Sequence, residues 1–487
     1  MSSILGLFGR PPVDASGKAK KIHFLDTSMP NMRGFHFAWI CFHVAFIAWY
    51  ALAPMGPILK KNFPMSDDEW ALSVTYAVAS TIILRFAFGP ICDTIGPRLA
   101  MASILILGAI PVACYGLCST INQFYFLRFC IGYLGAAFVP CQFFTAQMFA
   151  PSCVGTANAI SGGWGNLGGG VTALLMPALF RMLQSFGLDE KAALNYCFIF
   201  PALLCVIAGV CVLLFTEDCP QGDWKNRALP GETAEQAAER CRLRDEGRAT
   251  SQGASQSTLL PSLYDVVKNF NTITLVIHYF VSFGVEMCLN NFMPIYLLDE
   301  FKNDDGSSIL SFSAAASITA LFAWMNLFAR ATGGILSDNM NKQLSMSGRL
   351  ITHFAALVGE GIFLFLFTLM PSIGSTVACA VVFSIFAQMA NGTNFSIVPS
   401  VSPYKGMISG LVGAGGNIGV MVFALMMKSF GADKRTAFRM ISFICFGAAA
   451  LTPLINIGGQ WIVPNKKTQE AVEEMKAAEK KAYGTFK

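Results

Sequence analysis

Twelve runs of mostly apolar residues dominate this chain of 487 residues. A transmembrane helix needs about 20 such residues, because the hydrocarbon core is about 30 Å thick and a helix rises about 1.5 Å per residue. Six runs precede a polar stretch and six follow it, near 35–59, 71–91, 99–118, 123–148, 155–180, 195–216, 271–298, 311–336, 349–371, 375–398, 405–430 and 437–462. The pattern predicts a helical membrane protein that crosses the bilayer many times.

The composition excludes several other classes of protein. Hydrophobic residues make up 54% of the chain and charged residues only 13%, whereas a soluble domain carries about 25% charged residues. A soluble enzyme, a disordered chain and a nucleic-acid binder are therefore excluded. The apolar runs are continuous and do not alternate, which excludes an outer-membrane β-barrel. No nucleophile–base pair, metal-ligand spacing or phosphate loop stands out, so we expect no enzymatic activity, no cofactor and no metal.

The placement of lysine and arginine predicts the orientation in the membrane. With the N-terminus inside, the inner segments hold 22 of these residues and the outer segments nine. Positive charge favours the cytoplasmic side, so we predict that both termini are cytoplasmic. The expected organisation is an N-terminal segment 1–34, a first six-helix half 35–216, a central loop 217–270, a second half 271–462 and a tail 463–487. One short polar helix is expected within the central loop, near 232–246.

Two patterns recur in both halves. Arg-x3-Gly-x3-Asp occurs twice at a constant separation of 245, at Arg85, Gly89 and Asp93 and again at Arg330, Gly334 and Asp338. A Gly/Asn-rich run also occurs twice, at a separation of 251, from Gly155 to Asn166 and from Gly406 to Asn417. The halves therefore form an internal repeat. Parallel six-helix halves related by an axis along the membrane normal are an architecture of transporters.

These residues resemble a known family. The run Gly-x3-Asp-x2-Gly-x-Arg from Gly89 to Arg98 resembles the inner-loop signature of the major facilitator superfamily, and Arg128 with Gly132 resembles a second, weaker one. Within that superfamily the chain is similar to the nitrate/nitrite porters, above all the high-affinity nitrate transporters of eukaryotes. The runs that carry this similarity are 162–177, 410–419, 283–291, 326–338 and 395–402. The resemblance implies twelve transmembrane helices in two pseudo-symmetric halves, and import of nitrate, or of nitrite, across the plasma membrane.

Arg85 and Arg330 are the first candidates for anion binding. Eight residues of helix place each arginine about 12 Å deeper than the aspartate at its cytoplasmic end, near the middle of the bilayer. The repeat predicts that the two face each other at one depth, where a planar guanidinium matches a flat oxyanion. The alternative is that each arginine snorkels or pairs with a buried acid. A gating or structural role is expected for the remaining motif residues, Gly89, Asp93, Arg98, Asp338 and Arg128.

Amide and aromatic side chains are the next candidates. Gly162 and Asn166 share one helix face, and Gly413 and Asn417 repeat that arrangement. Each asparagine could donate to a ligand oxygen, whereas helix packing is the alternative reason for the glycines. The resemblance further implies that three aromatic residues wall the anion: Tyr279, Phe283 and Phe138.

The acids within the spans bear on proton coupling. Glu286 and Glu360 lie well inside spans, where a buried carboxyl group can carry a proton. The alternative is a salt bridge or an inter-helix hydrogen bond. His43 and His278 also lie within spans, but nothing in the sequence marks either as a proton relay.

The sequence therefore predicts a secondary transporter that imports nitrate by alternating access, with proton symport favoured by Glu286. Nitrate/nitrite exchange is the alternative mode within the family. An organic-anion or phosphate porter would need a roomier, more polar site, and a nitrate receptor would usually carry a longer tail. The expected partners are nitrate, nitrite, protons and the lipid bilayer, with no nucleic acid. A small accessory subunit is a further candidate partner, because some relatives require one.

Overall fold

Residues 9–63, 65–228, 232–246 and 259–484 are described by a computed structural model of the chain. Helices account for the regular secondary structure of these residues. Those of the first half are α1 Asn31–Tyr50, α2 Gly56–Asn62, α3 Asp67–Ile95, α4 Pro97–Ala113, α5 Ile121–Ile131, α6 Phe138–Met148, α7 Val154–Ser185, α8 Glu190–Cys197 and α9 Ile199–Phe215. The following helices are α10 Ala234–Asp245, α11 Leu259–Lys268, α12 Phe270–Glu300, α13 Phe312–Trp324, α14 Ala329–Phe367, α15 Ile373–Ile397, α16 Lys405–Ser429, α17 Lys434–Ala449 and α18 Lys466–Gly484.

Eleven helical stretches of the described residues are long and apolar enough to cross a membrane. One of them, Ala314–Phe367, has 54 residues. At about 1.5 Å per residue it is more than twice as long as a bilayer core is thick. The helix is interrupted at Leu344 and Ser345, and Ser345 has a positive φ of 49°. This stretch therefore accounts for two spans, and the prediction of an all-helical protein with twelve membrane-spanning helices is confirmed.

Two features of the spans differ from the sequence prediction by more than five residues. The predicted spans 311–336 and 349–371 are joined by helix, because the polar residues between them continue α14 up to the break at Leu344 and Ser345. The last span, predicted to reach 462, ends at Leu454. The chain then turns through Gly458 and Gly459, which both have positive φ angles. Apolar composition alone does not show where such a turn ends a helix.

The chain divides into two compact units. The first unit comprises Met1–Ala150, Ser161–Tyr264 and Tyr404–Asn417, and the second comprises Pro151–Ile160, Asp265–Pro403 and Ile418–Lys487. The beginning of α7 thus belongs to the second unit, and the beginning of α16 belongs to the first. Small residues at the beginnings of α7 and α16 allow these helices to pack closely against their neighbours.

The first unit has an aromatic interior and a docked N-terminal segment. Phe42, Phe138 and Phe143 are fully buried or nearly so. In the segment 9–30, Ala19 forms a bridge with Phe149 at the end of α6. The polar N-terminus predicted from the sequence is therefore packed against the helices over its described part.

The second unit has one large apolar core. Its buried members include Val285, Leu289, Phe383, Phe423 and Phe438, which come from α12, α15, α16 and α17. Helix α18 joins this unit, because Thr468 at its start forms a hydrogen bond of 2.8 Å with Ser347 of α14. The expected polar helix of the central loop is observed as α10, whereas α11 and α18 were not predicted.

Candidate functional site

Arg85 lies on α3 in the interior of the first unit, with only 1% of its surface exposed. Its Nε donates to the carbonyl oxygen of Gly135 at 2.9 Å, and its Nη1 donates to that of Gly413 at 3.0 Å. The guanidinium carbon lies 4.8 Å from the centre of the Phe138 ring. Two carbonyl acceptors and a cation–π contact therefore set the plane of the guanidinium.

Glycines let the start of α16 approach Arg85. A Cβ atom added at Gly410 would lie 2.5 Å from the carbonyl oxygen of Arg85. A Cβ at Gly413 would lie 3.2 Å from the Phe138 ring and 3.5 Å from Cδ of Arg85. Any larger residue at position 410 would force the two helices apart. The packing role weighed for these glycines is therefore present beside the candidate site.

The two asparagines have the same local geometry. Nδ2 of Asn166 donates to the carbonyl oxygen of Gly162 at 2.9 Å, and Nδ2 of Asn417 donates to that of Gly413 at 3.2 Å. The carbonyl oxygen of Gly413 thus accepts from both Arg85 and Asn417. An amide has a second N–H and an oxygen, so each asparagine can still bind a ligand.

Arg330 lies on α14 in the second unit and forms an ion pair with Glu286 of α12. Nη2 of Arg330 is 3.4 Å from Oε2 of Glu286, and their side chains are 2% and 0% exposed. Within the described part of the chain, the buried Nε of Arg330 has no hydrogen-bond partner. One donor of this guanidinium is therefore left for another acceptor.

Three amides complete the surroundings of Glu286. Asn326 and Gln388 donate to its Oε1 at 2.7 and 3.1 Å, and Asn391 donates to its Oε2 at 2.7 Å. N–H groups can only donate, so this arrangement suits an ionised carboxylate. A protonated Glu286 would require at least one of these amides to rotate. Glu286 thus forms both a salt bridge and inter-helix hydrogen bonds, which are the alternatives to a role in carrying a proton.

Tyr279 and Phe283 stack one turn apart on α12. Their ring centres are 5.3 Å apart and the planes differ by 12°. Phe395 packs edge-on against Tyr279, with ring centres 5.0 Å apart. These rings form a rigid aromatic wall, as expected for stacked and edge-to-face pairs.

The motif aspartates cap helices at positions related by the repeat. Asp93 accepts the backbone N–H groups of Gly406 and Met407 at 3.0 and 2.8 Å. Asp338 accepts those of Gly155 and Thr156 at 3.2 and 2.6 Å. The capped residues differ by 251 and the aspartates by 245, the two separations found in the sequence. A carboxylate at a helix N-terminus satisfies free N–H groups and opposes the helix dipole favourably.

The other residues of the inner-loop signature also make structural contacts. A Cβ at Gly89 would lie 2.9 Å from Cα of Met407, so α3 and α16 touch there. Arg98 forms ion pairs with Asp223 at 2.7 Å and with Asp218 at 3.4 Å. Burial raises the pKa of the Asp218 carboxyl, and the backbone N–H and charge of Arg98 oppose that shift. Arg98 therefore ties the start of α4 to the segment after α9.

Arg128 and Glu360 form none of the side-chain hydrogen bonds or ion pairs described above. Arg128 is in the last turn of α5 and is 7% exposed. Glu360 is fully buried on α14, and neither of its carboxyl oxygens has a hydrogen-bond partner among the described residues. An ionised carboxylate without partners would be costly there. In the described ranges, no group of three or more His, Cys, Asp or Glu side chains could hold a metal ion.

Sequence reasoning missed several polar residues of the second unit. Asn326, Gln388 and Asn391 hold Glu286, and Arg349 donates to Asp338 at 2.6 Å. His353 was also missed, although it lies in the predicted span 349–371. The available signal was a polar or charged residue inside an apolar run, which seldom occurs without a partner.

Comparisons of the sequence agree with the fold and identify relatives. The sequence model of the Major Facilitator Superfamily matches residues 38–424. Nitrate transporter 2.2 of Chlamydomonas reinhardtii is 32% identical over 453 residues, which cover 92% of this chain and 83% of that protein. High affinity nitrate transporter 2.5 of Arabidopsis thaliana is 31% identical, with 94% and 86% covered. The nitrate/nitrite transporter NrtP of Picosynechococcus is 26% identical, with 80% and 84% covered.

Solved structures support the fold alone. The proton:xylose symporter XylE matches with a TM-score of 0.62 at 13% identity, and 91% of this chain and 99% of that chain are covered. FucP in its outward conformation matches with a TM-score of 0.61 at 14% identity, with 86% and 98% covered. Both are described as transporters of the same superfamily.

Proposed function

Because this chain belongs to the major facilitator superfamily and, within it, to the family of the high-affinity nitrate transporters, we propose that it imports nitrate by alternating access. Nitrite is the proposed second substrate, since the cyanobacterial relative is named for both anions. The chain is a multi-pass membrane protein and a transporter, not an enzyme. The proposed location is the plasma membrane, with both termini cytoplasmic.

The observation that carries this proposal is the buried donor of Arg330. Its Nε–H has no acceptor among the described residues, although buried polar groups are nearly always paired. An oxyanion would supply the missing acceptor. Because Glu286 already neutralises part of the charge, a monovalent anion suits Arg330 better than a multivalent one.

Each unit contains proposed ligands of nitrate. In the first unit they are Arg85, Asn166 and Asn417, with Phe138, Gly162 and Gly413 as the surrounding wall. In the second unit they are Arg330 and the stacked rings of Tyr279 and Phe283. Planar guanidinium and aromatic groups suit a small, flat anion. Gly89, Asp93, Arg98, Asp338 and Arg128 are proposed to stabilise or gate the helices. The helix caps formed by Asp93 and Asp338 and the ion pairs of Arg98 support this role for those three residues.

Proton symport is the proposed source of energy. Nitrate import works against an inside-negative potential at about 2.3 kcal/mol per charge per 100 mV. More than one proton per nitrate would make import electrically favourable. Nitrate/nitrite exchange is the second candidate, and it is favoured by one observation: the four groups that bond Glu286 are all N–H donors, and none of them accepts a carboxyl proton in this arrangement.

The decisive experiment is nitrate counterflow in proteoliposomes that contain the purified chain. Labelled nitrate should enter vesicles preloaded with unlabelled nitrate, and external nitrite should compete with it. Phosphate, sulfate and a small carboxylate serve as competitors that are expected to fail. The proposal would be wrong if the protein is folded and one of these anions, but not nitrate, exchanges. A parallel uptake assay in cells co-expressing an accessory subunit tests that proposed partner separately.

A further inference from the structure

Two buried histidines of the second unit form a direct hydrogen bond. His278 on α12 and His353 on α14 are both 0% exposed. Nε2 of His353 lies 3.0 Å from Nδ1 of His278, and the ring centres are 4.9 Å apart. Each imidazole can take up a proton, and a charge inside a membrane-spanning segment is costly. A pair of histidines at this position therefore indicates a functional role.

The backbone determines where the protons of this pair lie. Nε2 of His278 is 2.9 Å from the carbonyl oxygen of Ala448, which can only accept. Nε2 of His278 therefore carries its proton, and in a neutral ring Nδ1 is then a bare acceptor. It follows that Nε2 of His353 donates to it. Nδ1 of His353 is left as the one nitrogen of the pair that can take up a proton.

Thr393 on α15 can form a hydrogen bond with Nδ1 of His353 whether or not that nitrogen carries a proton. Its hydroxyl oxygen is 2.8 Å from Nδ1 of His353. The same hydroxyl is 2.9 Å from the carbonyl oxygen of Met389 and 3.1 Å from that of Ala390. With neutral His353 the hydroxyl donates to Nδ1. With protonated His353 it rotates, donates to a carbonyl and accepts from Nδ1, so every polar group stays paired.

Few charged groups surround the pair. On α12, Glu286 lies two turns beyond His278 and is held by Arg330. On α14, Arg349 lies one turn before His353 and is bound to Asp338, while Glu360 lies two turns after His353. The helices that pack against the pair contribute little more. On α17 the buried Cys445 lies one turn before Ala448, and α15 carries no charged residue.

We propose that His278, His353 and Thr393 form the proton-binding site that couples anion import to proton entry. A proton from the outer solution adds to the lone pair of Nδ1 of His353, and the charge is shared across the hydrogen-bonded pair. The proton leaves from the same nitrogen, because Nε2 of His278 faces a backbone carbonyl and cannot pass it on. This inference rests on the proposed nitrate import and names a different group from Glu286 for the coupling.

The test uses substitutions that keep the neutral hydrogen bonds. In His353→Gln the amide N–H replaces Nε2–H toward His278, while the titratable nitrogen is lost. Thr393→Val removes the hydroxyl and Thr393→Ser retains it. His43→Gln is the matched control, because His43 is another histidine within a span and bonds the carbonyl oxygen of Trp164 at 2.8 Å. Each protein is reconstituted with a pH-sensitive dye in the vesicle lumen.

Wild type, His43→Gln and Thr393→Ser should acidify the lumen when nitrate is added outside. His353→Gln should keep nitrate counterflow and lose this acidification, and Thr393→Val should show a reduced acidification. The inference is overturned if His353→Gln acidifies the lumen like wild type, or if wild type moves nitrate without protons. If His353→Gln does not fold, equal acidification by Thr393→Val and Thr393→Ser overturns it. Absence of nitrate counterflow in wild type would instead contradict the proposed function.

Discussion

Arg330 and Glu286 form an ion pair inside the second unit, with Nη2 of the arginine 3.4 Å from Oε2 of the glutamate. Two buried charges are tolerated only when they pair and their remaining groups form hydrogen bonds. Three amides meet that condition for the glutamate. The pair therefore holds Arg330 in one position, and we propose that Glu286 acts on the proposed anion site through that arginine.

Glu286→Gln should impair transport in every assay. The substitution leaves Arg330 without its counter-charge and places an NH2 group against N–H donors. Removing one partner of a buried ion pair costs about 3–5 kcal/mol. We expect a lower melting temperature in detergent and a loss of both nitrate counterflow and proton-driven accumulation.

Glu360→Gln is the matched control for that substitution. Its carboxyl oxygens have no hydrogen-bond partner in the described part of the chain, so a neutral amide of the same shape should be tolerated. If Glu286→Gln instead keeps counterflow and loses only proton-driven accumulation, Glu286 carries the proton, as the sequence interpretation held. That result would also count against the histidine pair.

Arg85→Lys and Arg330→Lys should each remove most nitrate transport. A lysine keeps the charge but is a point donor, and it cannot span the carbonyl oxygens of Gly135 and Gly413 that orient Arg85. Nitrate counterflow is the measurement. Arg242→Lys is the control, because Arg242 is exposed and pairs with Glu239 and Glu246 of the same segment. If both buried variants insert into the membrane and transport nitrate at near wild-type rates, the proposal that these arginines bind nitrate is wrong.

Asn166→Ala and Asn417→Ala should raise the apparent KM for nitrate. Each removes one neutral donor worth about 0.5–1.5 kcal/mol, which corresponds to about a twofold to tenfold change. Asn417→Ala should have the larger effect, because Asn417 shares the Gly413 carbonyl oxygen with Arg85. Asn158→Ala tests packing, since its amide bonds the carbonyl oxygen of Phe395 at 3.1 Å. It should lower stability without changing KM, and the same behaviour in Asn166→Ala would indicate a packing role there.

The membrane spans could be predicted from the sequence because their length and apolar composition follow from bilayer thickness. The repeat was also visible, because both of its motifs recur at a constant separation, which is 245 for the aspartates and 251 for the residues that they cap. Even the 54-residue stretch was anticipated as two spans. Each of these features depends on local composition or on spacing along the chain.

The polar network of the second unit could not be predicted in the same way. Glu286 and Asn391 are 105 residues apart, and His278 and His353 are 75 apart. Whether two such side chains meet depends on which helices are neighbours and on their rotation about their axes. Apolar spans constrain these angles weakly, because the faces of a buried helix have similar composition. For the same reason, the hydrogen bond between His278 and His353 could not be predicted from the sequence.

Lys18 should make the stability of the first unit increase with pH in the alkaline range. Burial lowers the pKa of Lys18 from its usual 10.5, and the charge of Asp14 opposes this only in part. Below that usual value the unfolded chain therefore binds more protons than the folded one, so stability rises as the pH increases toward it. The melting temperature of wild type should gain more on going from neutral to alkaline pH than that of Lys18→Met. The exposed Lys21→Met should follow wild type, and identical pH slopes for all three proteins would contradict the prediction.

The two capping aspartates should differ in their contribution to stability. Both accept two backbone N–H groups at a helix start, and loss of a cap costs about 0.5–2 kcal/mol. Asp338 also accepts from the hydroxyl of Thr156 and from Arg349, each at 2.6 Å. Asp338→Ala would leave the guanidinium of Arg349, which is 2% exposed, without its carboxylate. We therefore expect Asp338→Ala to lower the melting temperature more than Asp93→Ala does.

The control for this comparison is Asp305→Ala. Asp305 accepts the backbone N–H of Ser307 at 2.8 Å in an exposed turn, so it reproduces the hydrogen bond without the buried charge. Its loss should change the melting temperature little, because water replaces the acceptor. The melting temperatures of the three variants are measured in one detergent and lipid mixture and compared. An equal effect of Asp93→Ala and Asp338→Ala would show that the charge of Arg349 finds another partner, and equality of both with Asp305→Ala would show that the caps contribute no stability.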